Sequence, residues 1–129
     1  MEKLFLPATS NTPEVDFDFT QRQLSLRGES YPESAAAFYG PILEQTLAFL
    51  ADLNQETVRL SVDLRYFNSS STKMLFTLFD HFHIAAEQGK QILIDWHHDI
   101  EDDTMLEFGQ ELAEDFPAIT LTLHAIDSQ

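Results

Sequence analysis

The spacing of hydrophobic residues along this chain switches repeatedly between two periods, and this switching limits the possible folds more than any other sequence feature. Near the start, Val15, Phe17 and Phe19 alternate with Asp16 and Asp18, which is the period-two pattern of a half-buried strand. Later strand patterns are followed by spacings of three and four residues, which are typical of amphipathic helices. A chain with these alternating periods is expected to form a sheet covered by helices.

The two periods predict the element order β-β-α-β-α-β-α-β. The predicted strands lie near residues 15–19, 24–26, 60–64, 92–94 and 119–125, and the predicted helices near residues 38–53, 74–86 and 105–112. A short strand at residues 4–6 can precede them. We therefore expect one α/β domain over residues 1–129, with a mixed or parallel sheet, right-handed crossovers and helices packed on the sheet. The continuous apolar run at residues 92–94 indicates a strand covered on both faces.

Gly40 and Pro41 interrupt the first helical pattern. A proline inside a helix removes one backbone hydrogen bond, and its ring meets the preceding turn. We expect either a kink or two abutting helices at this point.

The densest group of hydroxyl and amide side chains lies between the third main strand and the second helix, and consists of Asn68, Ser69, Ser70, Ser71 and Thr72. Such side chains cap helices, because their oxygens accept hydrogen bonds from free backbone N–H groups of the first turn, a contribution of about 1 kcal/mol. Capping explains one or two of these residues. The same N–H groups and the positive end of the helix dipole also favour an added phosphate at this place.

Lys73 lies in the first turn of the same predicted helix, where a cation opposes the helix dipole. It follows Ser69 by four residues and Ser70 by three, so its ammonium can pair with a phosphate on either hydroxyl. The alternative is a salt bridge to Glu44, Asp63 or another acid of a negative surface.

The segment with these residues, Val-Asp-Leu-Arg-Tyr-Phe-Asn-Ser-Ser-Ser-Thr-Lys-Met-Leu at positions 62–75, resembles the phosphoacceptor region of the SiaC family of bacterial regulatory phosphoproteins. Further segments at positions 6–13, 24–34, 49–52 and 96–99 also resemble family segments in the same order. The most specific combination is Gly-Glu-Ser-Tyr-Pro-Glu at 28–33 with Asn-Ser-Ser-Ser-Thr-Lys at 68–73. The resemblance therefore covers nearly the whole chain.

This resemblance implies a fold similar to STAS domains, the anti-sigma-factor antagonists, which carry a phosphorylatable serine at a strand-to-helix junction. It assigns the acceptor role to Ser69, after Asn68, whereas Ser70 and Thr72 remain alternative acceptors. Asn68, Ser70 and Ser71 would shape the helix start, and Lys73 would respond to the charge. Thr72 departs from the family pattern, in which an aliphatic residue is usual.

The resemblance also implies a switch protein without cofactors or chemistry of its own. A serine/threonine kinase similar to anti-sigma-factor kinases would phosphorylate it, and a PP2C-type phosphatase would restore it. The unmodified form would bind and activate a diguanylate cyclase, so that cyclic di-GMP and biofilm formation follow the phosphorylation state. Tyr31, Pro32 and Glu33 lie in a loop that can share one edge of the sheet with Asn68, and we expect them to contribute to docking.

Two enzyme hypotheses compete with the switch. His97 and His98, with Asp95 and Asp99 nearby, suggest a metal site. Adjacent residues at a strand end point to opposite faces, however, and a zinc site needs three or four convergent ligands, so we interpret these histidines as structural or surface residues. A serine hydrolase built on residues 69–71 would need an oriented histidine, and the sequence contains no Gly-x-Ser-x-Gly motif.

The formal net charge of −15 comes from 22 acidic and 7 basic residues. The few scattered cations argue against binding to nucleic acid or to an anionic membrane, because both depend on clustered Lys and Arg. After Lys90 the sequence contains ten Asp and Glu and no Lys or Arg, so its last third is a solvated negative face or a docking site for basic surfaces. An acidic mimic of nucleic acid is a further alternative. The lack of cysteine and of a long apolar start favours a cytoplasmic location.

Overall fold

The computed structural model describes residues 2–127, and its elements follow the order that the hydrophobic periodicity predicts. The strands are β1 (Leu4–Leu6), β2 (Glu14–Asp18), β3 (Gln23–Ser30), β4 (Thr57–Phe67), β5 (Gln91–Asp99) and β6 (Thr120–Ile126), and the helices are α1 (Ala35–Asp52), α2 (Ser69–Glu87) and α3 (Asp103–Asp115). The predicted α/β fold and order are confirmed, with β1 as the short additional strand at the start.

The six strands lie side by side in the order in which they occur in the chain. The pairs β1/β2 and β2/β3 are antiparallel, whereas β3, β4, β5 and β6 are parallel to one another. One helix connects each parallel strand to the next: α1 connects β3 to β4, α2 connects β4 to β5, and α3 connects β5 to β6. Because these right-handed crossovers all move toward the same edge of the sheet, they place the three helices on the same face. The sheet therefore has a helix-covered face and an open face. Its carboxyl end, where the four parallel strands finish, collects Ser30, Phe67, Asp99 and Ile126.

Side-chain burial along the strands follows this division into two faces. In β4, Leu60 and Val62 are completely buried toward the helices, whereas Arg59 is exposed on the open face. In β5, Ile94 is buried but Leu93 is only half-buried. The prediction of a strand covered on both faces at residues 92–94 is therefore wrong, because α1, α2 and α3, the helices found within residues 2–127, all lie on the other face.

The open face carries compensating charges. Ion pairs between a Lys or Arg and a carboxylate join side chains on it: Lys3 to Asp16 at 3.1 Å, Arg27 to Glu14 at 3.2 Å, Arg59 to Asp95 at 3.1 Å and Arg65 to Asp63 at 3.4 Å. Such pairs are individually weak. Together they offset part of the negative charge of the open face in a strongly acidic protein.

Gly40 and Pro41 lie inside α1, which is one helix over Ala35–Asp52. Of the two expected outcomes, abutting helices are therefore excluded. The buried residues Tyr39, Ile42 and Phe49 lie on both sides of the proline, so packing against the core holds the helix together. Glycine before proline has no Cβ to clash with the proline ring.

Among residues 2–127, none of the helices combines the length and the apolar character that a membrane span requires.

Trp96 joins β5 to α3 through a close approach at a glycine. Its indole N–H donates to the Met105 carbonyl at 3.0 Å, and its ring stacks on Phe108 with centroids 5.5 Å apart. A Cβ atom on Gly109 would lie 2.6 Å from Trp96 Cδ1 and 2.7 Å from Leu123 Cδ2. Only glycine fits at this position without moving the indole.

We predict that Gly109→Ala destabilises the protein although alanine favours helices. With contacts of 2.6 Å and 2.7 Å, overpacking should cost about 3 kcal/mol, and the gain of about 1 kcal/mol in helix propensity then leaves a fall of about 2 kcal/mol in the free energy of unfolding. Urea denaturation followed by circular dichroism measures this. The control is Gln110→Ala, an exposed neighbour in α3, which should change stability by less than about 0.5 kcal/mol. Equal stability of Gly109→Ala and the wild type would contradict the packing described.

Candidate functional site

Asn68 begins α2 at the carboxyl end of the sheet and anchors it through backbone and side chain. Its Oδ1 accepts a hydrogen bond from the Ser71 N–H at 2.9 Å, which makes it the N-cap. Its own N–H donates to the Ser30 carbonyl at 3.0 Å, and its carbonyl accepts from the Thr72 N–H at 3.0 Å and the Thr72 hydroxyl at 3.1 Å. The start of α2 is therefore tied directly to the end of β3.

The four hydroxyl side chains after Asn68 differ in accessibility. Ser69 and Ser70 are exposed, and Ser69 is the first residue of the helix. Ser71 is completely buried, and the half-buried Thr72 already donates to Asn68. An enzyme that modifies this segment can thus reach Ser69 and Ser70 most readily.

A chain of buried hydroxyls lies beneath these exposed serines. Ser30 Oγ lies 2.6 Å from the Tyr39 phenol oxygen and 2.8 Å from Ser71 Oγ, and the Ser71 hydroxyl also lies 3.1 Å from the Ser30 carbonyl. One consistent arrangement has Tyr39 donating to Ser30, the Ser30 hydroxyl to Ser71, and Ser71 to the Ser30 carbonyl. Burial raises the pKa of the Tyr39 phenol, although the hydrogen bonds to Ser30 and Ser71 act in the opposite direction. The phenol therefore stays protonated and able to donate.

Sequence reasoning missed Ser30 and Tyr39 as parts of this site. A signal existed in the periodicity, since Ser30 has the same parity as the buried Leu24 and Leu26 in β3. Likewise, Tyr39 lies three residues before the buried Ile42 on the apolar stripe of α1. Polar groups at predicted core positions need hydrogen-bond partners, and here they partner one another.

The loop at residues 31–33 lies beside the start of α2, because the register pairs Ser30 with Phe67. Tyr31 is 40% exposed, its hydroxyl donates to the Ser10 carbonyl at 2.6 Å, and its ring contacts Tyr66 edge-on with centroids 6.0 Å apart. Glu33 is exposed, whereas Pro32 is buried and can act only through the shape of the loop. The predicted docking residues and the serines thus share one end of the sheet.

Lys73 is exposed and makes no ion pair with a carboxylate among the described residues. Glu44 and Asp63, the alternative salt-bridge partners named from the sequence, do not pair with Lys73, and Asp63 forms an ion pair with Arg65 instead. The first turn of α2 contains no acidic residue that would offset the ammonium. Its positive charge is therefore available to an added anion.

The adjacent residues His97 and His98 lie on opposite faces of β5 and make different contacts. His98 is buried toward the helices, and a ring nitrogen lies 3.0 Å from the Asp99 carbonyl. On the open face, His97 stacks on His124 with centroids 4.9 Å apart, and His124 Nε2 lies 2.8 Å from an Asp95 oxygen. Among residues 2–127, no group of three or more His, Asp or Glu side chains is arranged to hold a metal ion.

Asp95 organises this open-face cluster. Burial raises the pKa of its carboxyl, but hydrogen bonds from His124 and Arg59 outweigh burial and lower the pKa below its usual range. The carboxylate therefore remains ionised between its two partners. The hydrolase hypothesis gains no support, since His97, His98 and His124 lie within hydrogen-bond distance of Ser61, Asp99 and Asp95, and within the described chain no histidine hydrogen-bonds to residues 69–71.

Comparison with known proteins gives concordant results. The family model described as SiaC family regulatory phosphoprotein matches residues 6–126. An uncharacterised protein of Pseudomonas aeruginosa strain UCBPP-PA14 is 32% identical over 115 residues, which cover 89% of this chain and 90% of that protein.

Two crystal structures from Pseudomonas aeruginosa are similar to the fold. The structure of apo-SiaC gives a TM-score of 0.88 at 30% identity and covers 97% of this chain and 100% of that one. A structure described as the diguanylate cyclase SiaD in complex with its activator SiaC gives a TM-score of 0.89 at 30% identity, covering 95% and 99% of the two chains.

We predict that Ser71→Ala lowers the free energy of unfolding by about 1–3 kcal/mol, because it removes one of the two hydrogen-bond partners of the buried Ser30 hydroxyl and leaves only Tyr39. Ser70→Ala, one residue earlier and exposed, should change stability by less than about 0.5 kcal/mol. Urea denaturation of both variants under the same conditions tests the contrast. Equal effects of the two substitutions would contradict a structural role of the buried chain.

Proposed function

The chain belongs to the SiaC family of regulatory phosphoproteins, and on that premise we propose that it is a phosphorylation-controlled switch whose unmodified form binds and activates a diguanylate cyclase. The observation that carries the proposal is an exposed serine at the first position of α2, beside the loop at residues 31–33. The similarity to a SiaC described as the activator of a diguanylate cyclase supports the choice of partner. A regulatory family also agrees with the interpretation that this chain is not an enzyme.

Ser69 is the proposed phosphoacceptor. It directly follows the capping Asn68, which matches the family arrangement, and its side chain is exposed. Ser70 is the main alternative because it is equally exposed. Thr72 is less accessible, since it is half-buried and its hydroxyl is already hydrogen-bonded.

A phosphate on Ser69 would be stabilised where it forms. It adds a charge of about −1.5 to −2 next to the free N–H groups and the positive end of the α2 dipole. Lys73 lies four residues further along the same helix, so its ammonium is one turn away from the phosphate. A partner that covered this group would have to remove water from a charged phosphate, which disfavours binding.

The switch needs two modifying enzymes. We propose a serine/threonine kinase similar to anti-sigma-factor kinases and a PP2C-type phosphatase, acting in the cytoplasm where the kinase obtains ATP. The resulting change in cyclase activity would alter cyclic di-GMP and biofilm formation. Tyr31, Glu33 and the start of α2 would form the common docking surface, with Pro32 holding the loop in shape.

We predict that a cognate kinase with ATP phosphorylates the protein at Ser69. Mass spectrometry of the modified chain should locate the phosphate, and Ser69→Ala should abolish it because the nucleophilic oxygen is gone. Ser70→Ala serves as the control and should still be modified. Undiminished phosphorylation of Ser69→Ala would overturn the assignment of the acceptor.

We predict that Ser69→Asp weakens binding to the cyclase about tenfold or more, because it places a permanent charge in the docking surface, whereas Ser69→Ala retains binding. Isothermal titration calorimetry with the purified cyclase measures both. Thr77→Asp adds the same charge to an exposed position two turns further along α2 and should bind like the wild type. If Ser69→Asp and Ser69→Ala bound equally, charge at this position would not be the switch.

A further inference from the structure

We infer that a cleft between α2 and α3, here called the α2–α3 cleft, receives a large apolar side chain of the partner, and that a neighbouring Lys or Arg of the same partner segment contacts the acidic turn before α3. The inference rests on the proposed function, because the partner in question is the cyclase. It adds a specific anchor point to a docking surface otherwise defined by residues near Ser69.

The α2–α3 cleft has the size and lining of a side-chain pocket. Its volume is about 360 Å³, and it opens at the carboxyl end of the sheet. Its apolar wall comes from Phe67, Met105 and Phe108, while Thr72 and Thr104 lie on opposite helices at its sides. This volume lies at the small end of the range for ligand sites, so it suits one large side chain.

Exposed apolar side chains surround the same end of the sheet. Tyr66 lines the cleft and is 52% exposed, Tyr31 contacts it, and Ile100 in the turn after β5 is 60% exposed. Exposed aromatic groups next to a pocket are typical of the centre of a protein interface, where a few buried anchors carry most of the binding energy. A cleft beside such residues therefore indicates an anchor site.

The charge around the cleft determines what else the partner carries. A shallow depression shares Arg65, Asp102 and Thr104 with the cleft and is otherwise lined by acids. These acids are Asp99, Glu101 and Asp103, all in or next to the turn that leads into α3. Arg65 is the single cation in the lining of this depression against four carboxylic acids, so the lining carries net negative charge. A basic residue beside the apolar anchor would complement this rim.

The cleft is connected to the phosphorylation site through α2. Thr72 lines the cleft and follows Ser69 by three residues, which places the two side chains about 5–6 Å apart on the same helical face. A phosphate on Ser69 would therefore lie at the α2 side of the opening, opposite the acidic turn. There it obstructs the anchor and would have to be dehydrated on contact, even though the partner is basic.

We predict that Thr104→Trp, which fills the cleft from the exposed start of α3, weakens binding of the unphosphorylated protein to the cyclase about tenfold or more. Gln45→Trp adds the same side chain to an apolar groove between β1 and α1 and should bind within about twofold of the wild type. Calorimetric titration measures both, and thermal melts establish that they fold.

A second pair of variants removes side chains instead of adding them. Tyr66→Ala should weaken binding, whereas Phe5→Ala, which removes a similarly exposed ring from the open face, should not. Glu101→Lys should weaken binding mainly at low salt, and more than Glu111→Lys, a charge reversal on the exposed side of α3.

The outcomes separate this inference from the function on which it rests. If Thr104→Trp and Tyr66→Ala bind like the wild type while Ser69→Asp binds weakly, the anchor site is overturned and the switch remains. If Glu101→Lys binds normally at low salt, the basic flank of the partner is overturned. If the unmodified wild type does not bind the cyclase at all, both the proposed function and the anchor site fail.

Discussion

Each parallel strand lies beside the preceding strand of the chain, on the side toward the β6 edge of the sheet. This order determines where the helices, the open face and the candidate site lie. Right-handed crossovers then run over one face only, so α1, α2 and α3 share a single core with the sheet. The other face stays open and polar. The carboxyl ends of β3, β4, β5 and β6 collect at one end, which brings the loop at residues 31–33, the start of α2 and the turn before α3 together.

The start of α2 combines a rigid base with an exposed tip. Asn68 is held to Ser30 through the backbone, and Ser71, two residues after the exposed Ser69, joins the buried hydroxyl chain. Ser69 is therefore exposed on a helix end whose backbone is held by buried groups. A charge added at Ser69, as proposed, would change the surface while Ser30, Tyr39 and Ser71 could keep their hydrogen bonds.

Most of the fold was predictable because alternation and helical spacing record which side chains face the core. The cap at Asn68 was predictable for the same local reason, since it depends on residues within one helical turn. The open face of the sheet could not be predicted, because the apolar run at residues 92–94 does not reveal on which side of the sheet each crossover passes. The contact of Tyr39 with Ser30 and Ser71 could not be predicted either, and the same holds for the α2–α3 cleft. Both depend on contacts between segments that are distant in the sequence.

The ion pairs of the open face have a consequence for how this protein approaches other molecules. Because Lys3, Arg27, Arg59 and Arg65 compensate acids there, the uncompensated negative charge lies mainly on the helical side and in the turns. The charge distribution of the protein is therefore asymmetric, and a positively charged surface exerts a torque on the protein during diffusion. Within a screening distance of about 8 Å at physiological salt, that torque turns the helical side forward, so orientation begins before any two atoms touch.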